Sequence, residues 1–194
     1  MIDKPMKMVL TVSLFFFLLF SAYFAFQNII TKIHTEEGDK TLGPFALAIN
    51  YFSFMIMTLF ASRLLSGDRV KWFIIVPALA YGFFYGTGFF VDGTPKWEQY
   101  LFTGIGAAIG GTSSSFVWIG GSIYIHKIAH HYNKTHLKGK YFGIFNMFLS
   151  SSSIVGACVV TFALSLFSHK TYFAIVGGMG VVAFLFGLLF IKEI

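Results

Sequence analysis

Charged residues are so sparse in this 194-residue chain that they divide it into six long uncharged runs. Each run is roughly 20 to 28 residues long, and an α-helix needs about 20 residues to cross the hydrocarbon core of a bilayer. The runs occupy residues 8–31, 41–62, 72–91, 99–125, 141–168 and 171–191. Helices are the expected element, because the strands of a membrane barrel alternate in polarity over about ten residues. The pattern predicts an all-α polytopic membrane protein with six transmembrane helices.

Composition excludes most other classes of protein. Only 11% of the residues are charged and 56% are hydrophobic, whereas soluble domains carry about 25% charged residues. The single cysteine, Cys158, leaves no disulfide scaffold, and we expect it to pack as a small apolar residue within the fifth span. Every loop is short, so residues 1–194 are expected to form one domain in which consecutive helices are antiparallel neighbours.

The distribution of basic residues predicts the orientation. Ten of the fourteen Lys and Arg residues lie at the two chain ends and in the loops that follow spans two and four. By the positive-inside rule, both termini face the cytoplasm, or the matrix in a mitochondrial inner membrane. The first span is too long for a cleaved signal peptide and is expected to be an uncleaved anchor. Because the charge follows topology, we expect no nucleic-acid partner. The loop residues expected to meet anionic lipid head groups are Arg69, Lys71, Lys127, Lys134, Lys138 and Lys140.

The polar residues within the spans are neutral. No Asp, Glu, Lys, Arg or His lies well inside any span, although ion-coupled and proton-coupled carriers usually place such groups there. Small and amide side chains let helices approach and hydrogen-bond to one another, so these residues are expected either to pack helices together or to form a face for a partner or ligand. The candidates are Gln27, Asn28, Asn50, Tyr51, Gly106, Gly110, Ser113, Ser114, Trp118, Tyr124, Asn146 and Ser150.

The sequence contains no recognisable enzyme or cofactor motif. His126 and His130 are four residues apart, a spacing that can hold a metal ion. However, no carboxylate or cysteine lies nearby and lysines surround them, so we expect no metal. The intramembrane serines lack a buried base, and we therefore expect neither catalysis nor a bound cofactor.

Segments at five places carry the order and spacing of a known family. The first span reads FLLFSAYFAFQNIIT over residues 17–31, and the second begins LGPFALAINY at 42–51. The fourth contains GTSSSFVW at 111–118, and the fifth begins YFGIF at 141–145. The loop after span two reads GDRVK at 67–71. In these segments the chain resembles the uncoordinated-93-like proteins, a branch of the major facilitator superfamily regarded mainly as regulators of other membrane proteins.

The resemblance implies both a fold and a function. Superfamily members have about twelve helices in two halves, and this chain matches only the N-terminal six-helix half. The expected function is that of a non-catalytic regulatory or accessory subunit, with other membrane proteins as partners in a larger complex. The alternative is a half-transporter that dimerises to enclose a translocation path for a small solute.

Overall fold

The described residues form a helical bundle. The computed structural model describes residues 3–36, 38–65, 69–90 and 94–194, and within these ranges the chain has six α-helices. They are α1 (Lys4–Glu36), α2 (Leu42–Leu64), α3 (Val70–Gly86), α4 (Lys96–His131), α5 (Lys138–Leu166) and α6 (His169–Phe190). Short 3₁₀ turns lie at Thr87–Phe90 and Thr135–Leu137. The predicted all-α class is confirmed, whereas Gly67 and Asp68 of the resembling loop lie outside the described residues.

Four of the helices in the described ranges are long and apolar enough to cross a bilayer. These are α1, α2, α6 and the continuous helical stretch Thr135–Leu166. Helix α3 is apolar but has only 17 residues, with Pro77 in its interior. Helix α4 has 36 residues, and its glycines and serines dilute its hydrophobicity. These four helices fit an integral membrane protein. The two further crossings that the sequence predicts, by α3 and α4, remain a prediction.

Helix α1 lies at the centre of the bundle. It packs along much of its length against α5 and also against α6, while α2 packs against α4, and α3 packs between α4 and α6. The expectation that consecutive helices are neighbours is therefore wrong for most pairs, because among the described residues only α3 and α4 combine adjacency in sequence with extensive packing. Short loops limit the distance between helix ends but do not dictate which faces meet. In this bundle the side chains of α1 pack mainly against α5 and α6.

Backbone approach explains two of these pairings. At Gly156 of α5, an added Cβ would lie 2.9 Å from the backbone nitrogen of Ala25 in α1. At Gly111 of α4, an added Cβ would lie 2.0 Å from the backbone oxygen of Asn50 in α2. Lipid provides no hydrophobic drive between helices, so the close contact that glycine permits is a main source of association. The glycine-rich sequence of α4 therefore determines how closely α2 packs.

Aromatic side chains fill the centre of the bundle. Phe20 in α1 is 1% exposed, and its ring centroid lies 5.0 Å from that of Trp118 in α4 and 6.1 Å from that of Tyr81 in α3. These rings meet edge to face, an arrangement that their quadrupoles favour. Cys158 was expected to pack inside the fifth span, but it is exposed on the outer side of α5. The helix instead buries Ser152 and Gly156, and Gly156 packs against α1.

Candidate functional site

A cavity of about 320 Å³ opens between α1, α2, α3 and α4. Helix α1 supplies Phe20, Tyr23, Phe24 and Gln27 because these residues recur every three or four positions and so share one face. The other three helices complete the wall with Asn50, Tyr51, Phe54, Tyr81, Ser114 and Trp118. Seven of these ten side chains are aromatic and none is charged. The cavity therefore offers ring surfaces with a few neutral hydrogen-bonding groups.

The polar groups of this cavity bond to one another across the helices. The Gln27 amide in α1 donates to the Tyr51 hydroxyl in α2, and the Tyr23 hydroxyl lies 3.4 Å from the same oxygen. The Tyr81 hydroxyl in α3 donates to Ser114 in α4. Ser114 in turn donates to its own helix, at Gly110 O, over 2.9 Å. These bonds fix the side chains that line the wall, so the cavity is largely preformed.

Asn50 connects α2 to α4 at the inner end of the cavity. It is 1% exposed, and its Nδ2 donates to the backbone oxygen of Ala107 over 3.3 Å. One turn further along α2, the backbone oxygen of Phe54 accepts a hydrogen bond from Ser115 Oγ in α4 over 2.7 Å. Hydrogen bonds of this kind between membrane helices contribute about 0.6 kcal/mol each. They stabilise the α2–α4 pair in one register.

The structure brings five of the twelve predicted site residues together in this cavity: Gln27, Asn50, Tyr51, Ser114 and Trp118. Gly110 adjoins the cavity, since an added Cβ would lie 3.0 Å from Asn50 Nδ2. The other predicted residues lie elsewhere. They are Gly106, packed against Thr87, the buried Ser113, Tyr124 at the far end of α4, and the exposed Asn28, Asn146 and Ser150.

Five aromatic residues of the wall were not among the sequence candidates: Phe20, Tyr23, Phe24, Phe54 and Tyr81. Phenylalanine is so frequent in this chain, with 26 residues, that it carries no positional signal. A signal did exist for Tyr23 and Tyr81, because each is a tyrosine within an apolar helix rather than at a membrane interface. A buried tyrosine hydroxyl usually requires a partner, and both partners lie in this cavity.

The basic residues predicted to meet lipid lie on the surface. Arg69, Lys138 and Lys140 are exposed, and Lys71, Lys127 and Lys134 are half-exposed. The Lys71 ammonium lies 5.1 Å from the Trp72 ring centroid, and the Lys138 ammonium lies 6.0 Å from that of Phe142. His126 and His130 line a surface cleft beside Lys127. The described residues contain no cluster of metal-ligating groups there.

At the opposite end of the bundle, Asp39 ties the loop between α1 and α2 to α4. Its Oδ1 accepts hydrogen bonds from Thr41 Oγ1 at 2.8 Å, from Thr41 N at 2.9 Å and from the Tyr100 hydroxyl at 3.1 Å. It also accepts from Leu42 N at 3.2 Å, the first residue of α2. These bonds favour the carboxylate, the Thr41 hydroxyl most strongly, and lower the pKa of Asp39 from 3.8 to about 2.

The Asp39 contacts predict an acid-sensitive contribution to stability. Because the folded-state pKa is lowered, the contribution is fully present above the unfolded value of 3.8 and is lost as the pH falls through about 2. We expect Asp39→Asn to flatten the loss of thermal stability between about pH 4 and pH 2, measured by intrinsic fluorescence in detergent. Glu98→Gln removes a carboxylate from the first turn of α4 and serves as the control. An identical acid profile for wild type and Asp39→Asn would contradict the assignment.

Taken together, the apolar helices and the uncharged cavity define a polytopic helical membrane protein. A family model described as "Ion channel regulatory protein UNC-93" matches residues 35–191. The human "Protein unc-93 homolog A" is 29% identical over 157 residues, which is 79% of this chain and 33% of the relative. The Danio rerio protein of the same name is 28% identical over 161 residues, covering 79% of this chain and 32% of the relative.

A plant relative extends the match. "UNC93-like protein 3" of Arabidopsis thaliana is 30% identical over 137 residues, which is 69% of this chain and 27% of the relative. The chain thus spans about a third of the length of the curated relatives that it matches. It belongs to the UNC-93 family of ion channel regulatory proteins. The predicted resemblance to the UNC-93 family is confirmed, and the family is described as one of regulatory proteins.

Proposed function

We propose that this chain is a non-catalytic regulatory subunit that binds another helical membrane protein within the bilayer. The observation that carries the proposal is a row of small and polar residues along the outer side of α5. The row, here called the α5 polar row, consists of Gly143, Asn146, Ser150, Ser153, Ala157 and Thr161. These residues are spaced three or four apart, so they share one face of the helix.

The bundle satisfies only part of the polar row, because Ser153 and Thr161 donate to carbonyls of their own helix. Asn146 and Ser150 are exposed, and within the described part of the chain the Asn146 amide has no hydrogen-bond partner. An added Cβ at Gly143 would meet nothing within 4 Å. An unpaired amide in hydrocarbon costs free energy, whereas a neighbouring helix can bond to it and approach closely at small residues. This face of α5 is therefore suited to protein rather than to lipid.

The adjacent side of α5 has the opposite character. Phe162 and Leu166 are 65% and 72% exposed, and such large apolar side chains are suited to acyl chains. One helix thus presents a polar side and a lipid-like side next to each other. The contrast supports a partner that covers only the polar row.

Substitution on the two sides of α5 tests the proposal. We expect Asn146→Leu combined with Ser150→Leu to weaken the hetero-complex by about tenfold or more, since two interhelical hydrogen bonds are lost and leucine blocks close approach. Phe162→Leu combined with Leu166→Met is the matched control on the lipid side and should leave the complex intact. The measurement is the distribution of the chain between complex and free forms on native gels of digitonin extracts. Equal distributions for both double variants would contradict the proposal.

We further propose that all six helices cross the membrane with both termini on the cytoplasmic or matrix side, and that the bundle corresponds to one half of a major-facilitator-like body. Support for the orientation comes from the ten basic residues at that end. Head groups of anionic lipids would meet the loop residues Arg69, Lys71, Lys127, Lys134, Lys138 and Lys140 there. Support for the half-body comes from the six helices of the described residues, half of the usual twelve, and from relatives much longer than the matched stretch.

The second candidate function is a half-transporter that pairs with another half around a solute path. The observation that favours it is the cavity of about 320 Å³, where the neutral groups of Gln27, Asn50 and Tyr51 face an open space. A homodimer that moves a neutral solute into liposomes, and loses this activity with Tyr51→Leu, would support transport. A hetero-complex without solute movement would support regulation.

A further inference from the structure

A second pocket, separate from the central cavity, lies at the end of the bundle where both termini meet. It has a volume of about 250 Å³ and is lined by Lys4, Lys7, Met8, Thr11, Tyr124, Phe190 and Lys192. We call it the terminal pocket. Its residues come from the beginning of α1, from α4, from the last residue of α6 and from the segment that follows α6. None of its lysines belongs to the loop set predicted to meet lipid.

The segment after α6 is held in place, and this fixes the position of Lys192. The Tyr124 hydroxyl donates to the Lys192 backbone oxygen over 2.6 Å. Next to it, Trp72 Nε1 donates to Glu193 Oε1 over 3.0 Å, and Ile191 is 2% exposed. The Glu193 carboxylate therefore accepts a hydrogen bond from α3. Lys192 is left to line the pocket together with the two lysines of α1.

The three lysines concentrate positive charge that no ion pair among the described residues neutralises. Within residues 3–36, 38–65, 69–90 and 94–194, neither Lys4, Lys7 nor Lys192 forms an ion pair. Lys4 instead lies 5.6 Å from the ring centroid of Tyr132. The nearby Asp3 carboxylate accepts from Met6 N at 3.1 Å and so caps α1. Three like charges around one small space repel one another unless an anion lies between them.

The lysine side chains of the lining favour a phosphate group as the anion. Lysine binds phosphate as a point charge, and basic pockets at the ends of membrane helices accommodate anionic head groups. The lining also includes the apolar side chains of Met8 and Phe190, which can contact the uncharged part of a phosphorylated molecule. A neutral or cationic ligand would gain nothing from the three ammonium groups.

We propose that the terminal pocket binds a phosphate monoester, presented either by a phosphoinositide head group or by a soluble phosphorylated molecule. The proposal does not depend on the regulatory function. Three probes distinguish the sources: dioctanoyl phosphatidylinositol 4,5-bisphosphate, inositol 1,4,5-trisphosphate and inorganic phosphate, each titrated onto the full chain in detergent. Tighter binding of the lipid than of the trisphosphate identifies the head group, and equal binding identifies a soluble ligand.

The variants separate a pocket from a general basic surface. We expect the triple variant Lys4→Gln, Lys7→Gln and Lys192→Gln to bind the tightest probe about tenfold more weakly or worse. The matched control Lys40→Gln, Lys96→Gln and Lys170→Gln removes the same charge from exposed lysines at the opposite end of the bundle, and its affinity should fall by less than about threefold. All six lysines lie at the surface, so both variants are expected to fold, which unchanged thermal unfolding verifies. Equal losses in both triple variants, or no binding of any probe to wild type, would overturn the proposal.

Discussion

Gly111→Ala is expected to separate α2 from α4 and to destabilise the protein by about 1–3 kcal/mol or more. The added Cβ would lie 2.0 Å from Asn50 O and 2.9 Å from Asn50 C, and backbone atoms within a helix cannot rotate away. Relief of this overlap requires the two helices to move apart. The bonds from Asn50 to Ala107 and from Ser115 to Phe54 would then lengthen and weaken.

Gly178→Ala is the matched control for this substitution. Gly178 lies within α6, and an added Cβ there would meet nothing within 4 Å. Since alanine favours a helix over glycine by up to about 1 kcal/mol, the control should be neutral or stabilising. The measurement is thermal unfolding in detergent, where each kcal/mol corresponds to about 2–4 °C. If Gly111→Ala unfolds at the wild-type temperature, the close contact between α2 and α4 is wrong.

Phe20→Ala is the second substitution with a large expected effect. The ring is 1% exposed and meets five others, those of Phe16, Tyr23, Phe24, Tyr81 and Trp118. Removal of a core aromatic ring typically costs about 3–5 kcal/mol. In a membrane protein this cost is mainly lost packing, because lipid is as apolar as the protein interior.

A surface phenylalanine provides the comparison. Phe52 in α2 is 60% exposed, and Phe52→Ala should change the unfolding temperature by less than about 2 °C. Phe20→Leu refills part of the space and should recover a substantial part of the loss. Equal shifts for Phe20→Ala and Phe52→Ala would show that Phe20 does not lie at the centre of the bundle.

The helices could be predicted from the sequence because hydrocarbon imposes a simple rule. Any stretch that excludes charge for about 20 residues satisfies its backbone as a helix, and the run at 41–62 accordingly became α2. The run at 72–91 was overestimated, since α3 ends at Gly86 and continues only as a 3₁₀ turn. Charge marks where a helix leaves the membrane, but it does not mark where the backbone stops being helical.

The pairing of helices could not be predicted from the same signal. Hydrophobicity is nearly uniform around each span, so it does not indicate that α1 faces α5 and α6 or that α2 faces α4. The information lies in single close contacts such as Gly156 against Ala25. Other glycines, for example Gly143 and Gly178, look the same in the sequence, yet an added Cβ at either would meet nothing within 4 Å. Only the three-dimensional arrangement distinguishes a glycine at a close helix contact from a glycine with open space beside it.

The candidate site was predicted in part for a similar reason. Gln27, Asn50 and Ser114 stood out because polar residues are rare in these spans, and the bundle brings them to one cavity. Asn146 stood out equally, yet it faces outward on α5. A polar residue in a membrane helix indicates that it avoids lipid. It does not indicate whether the group that covers it belongs to the same chain or to a partner.

Photo-crosslinking from α5 in intact membranes tests the central claim most directly. A photoreactive amino acid is placed at Asn146, in the α5 polar row, or at Phe162, on the lipid side of the same helix. We expect a crosslink to a second membrane protein from position 146 and none from position 162. Crosslinks to protein from both positions, or from neither, would contradict the claim that the polar row is where this regulator meets its partner.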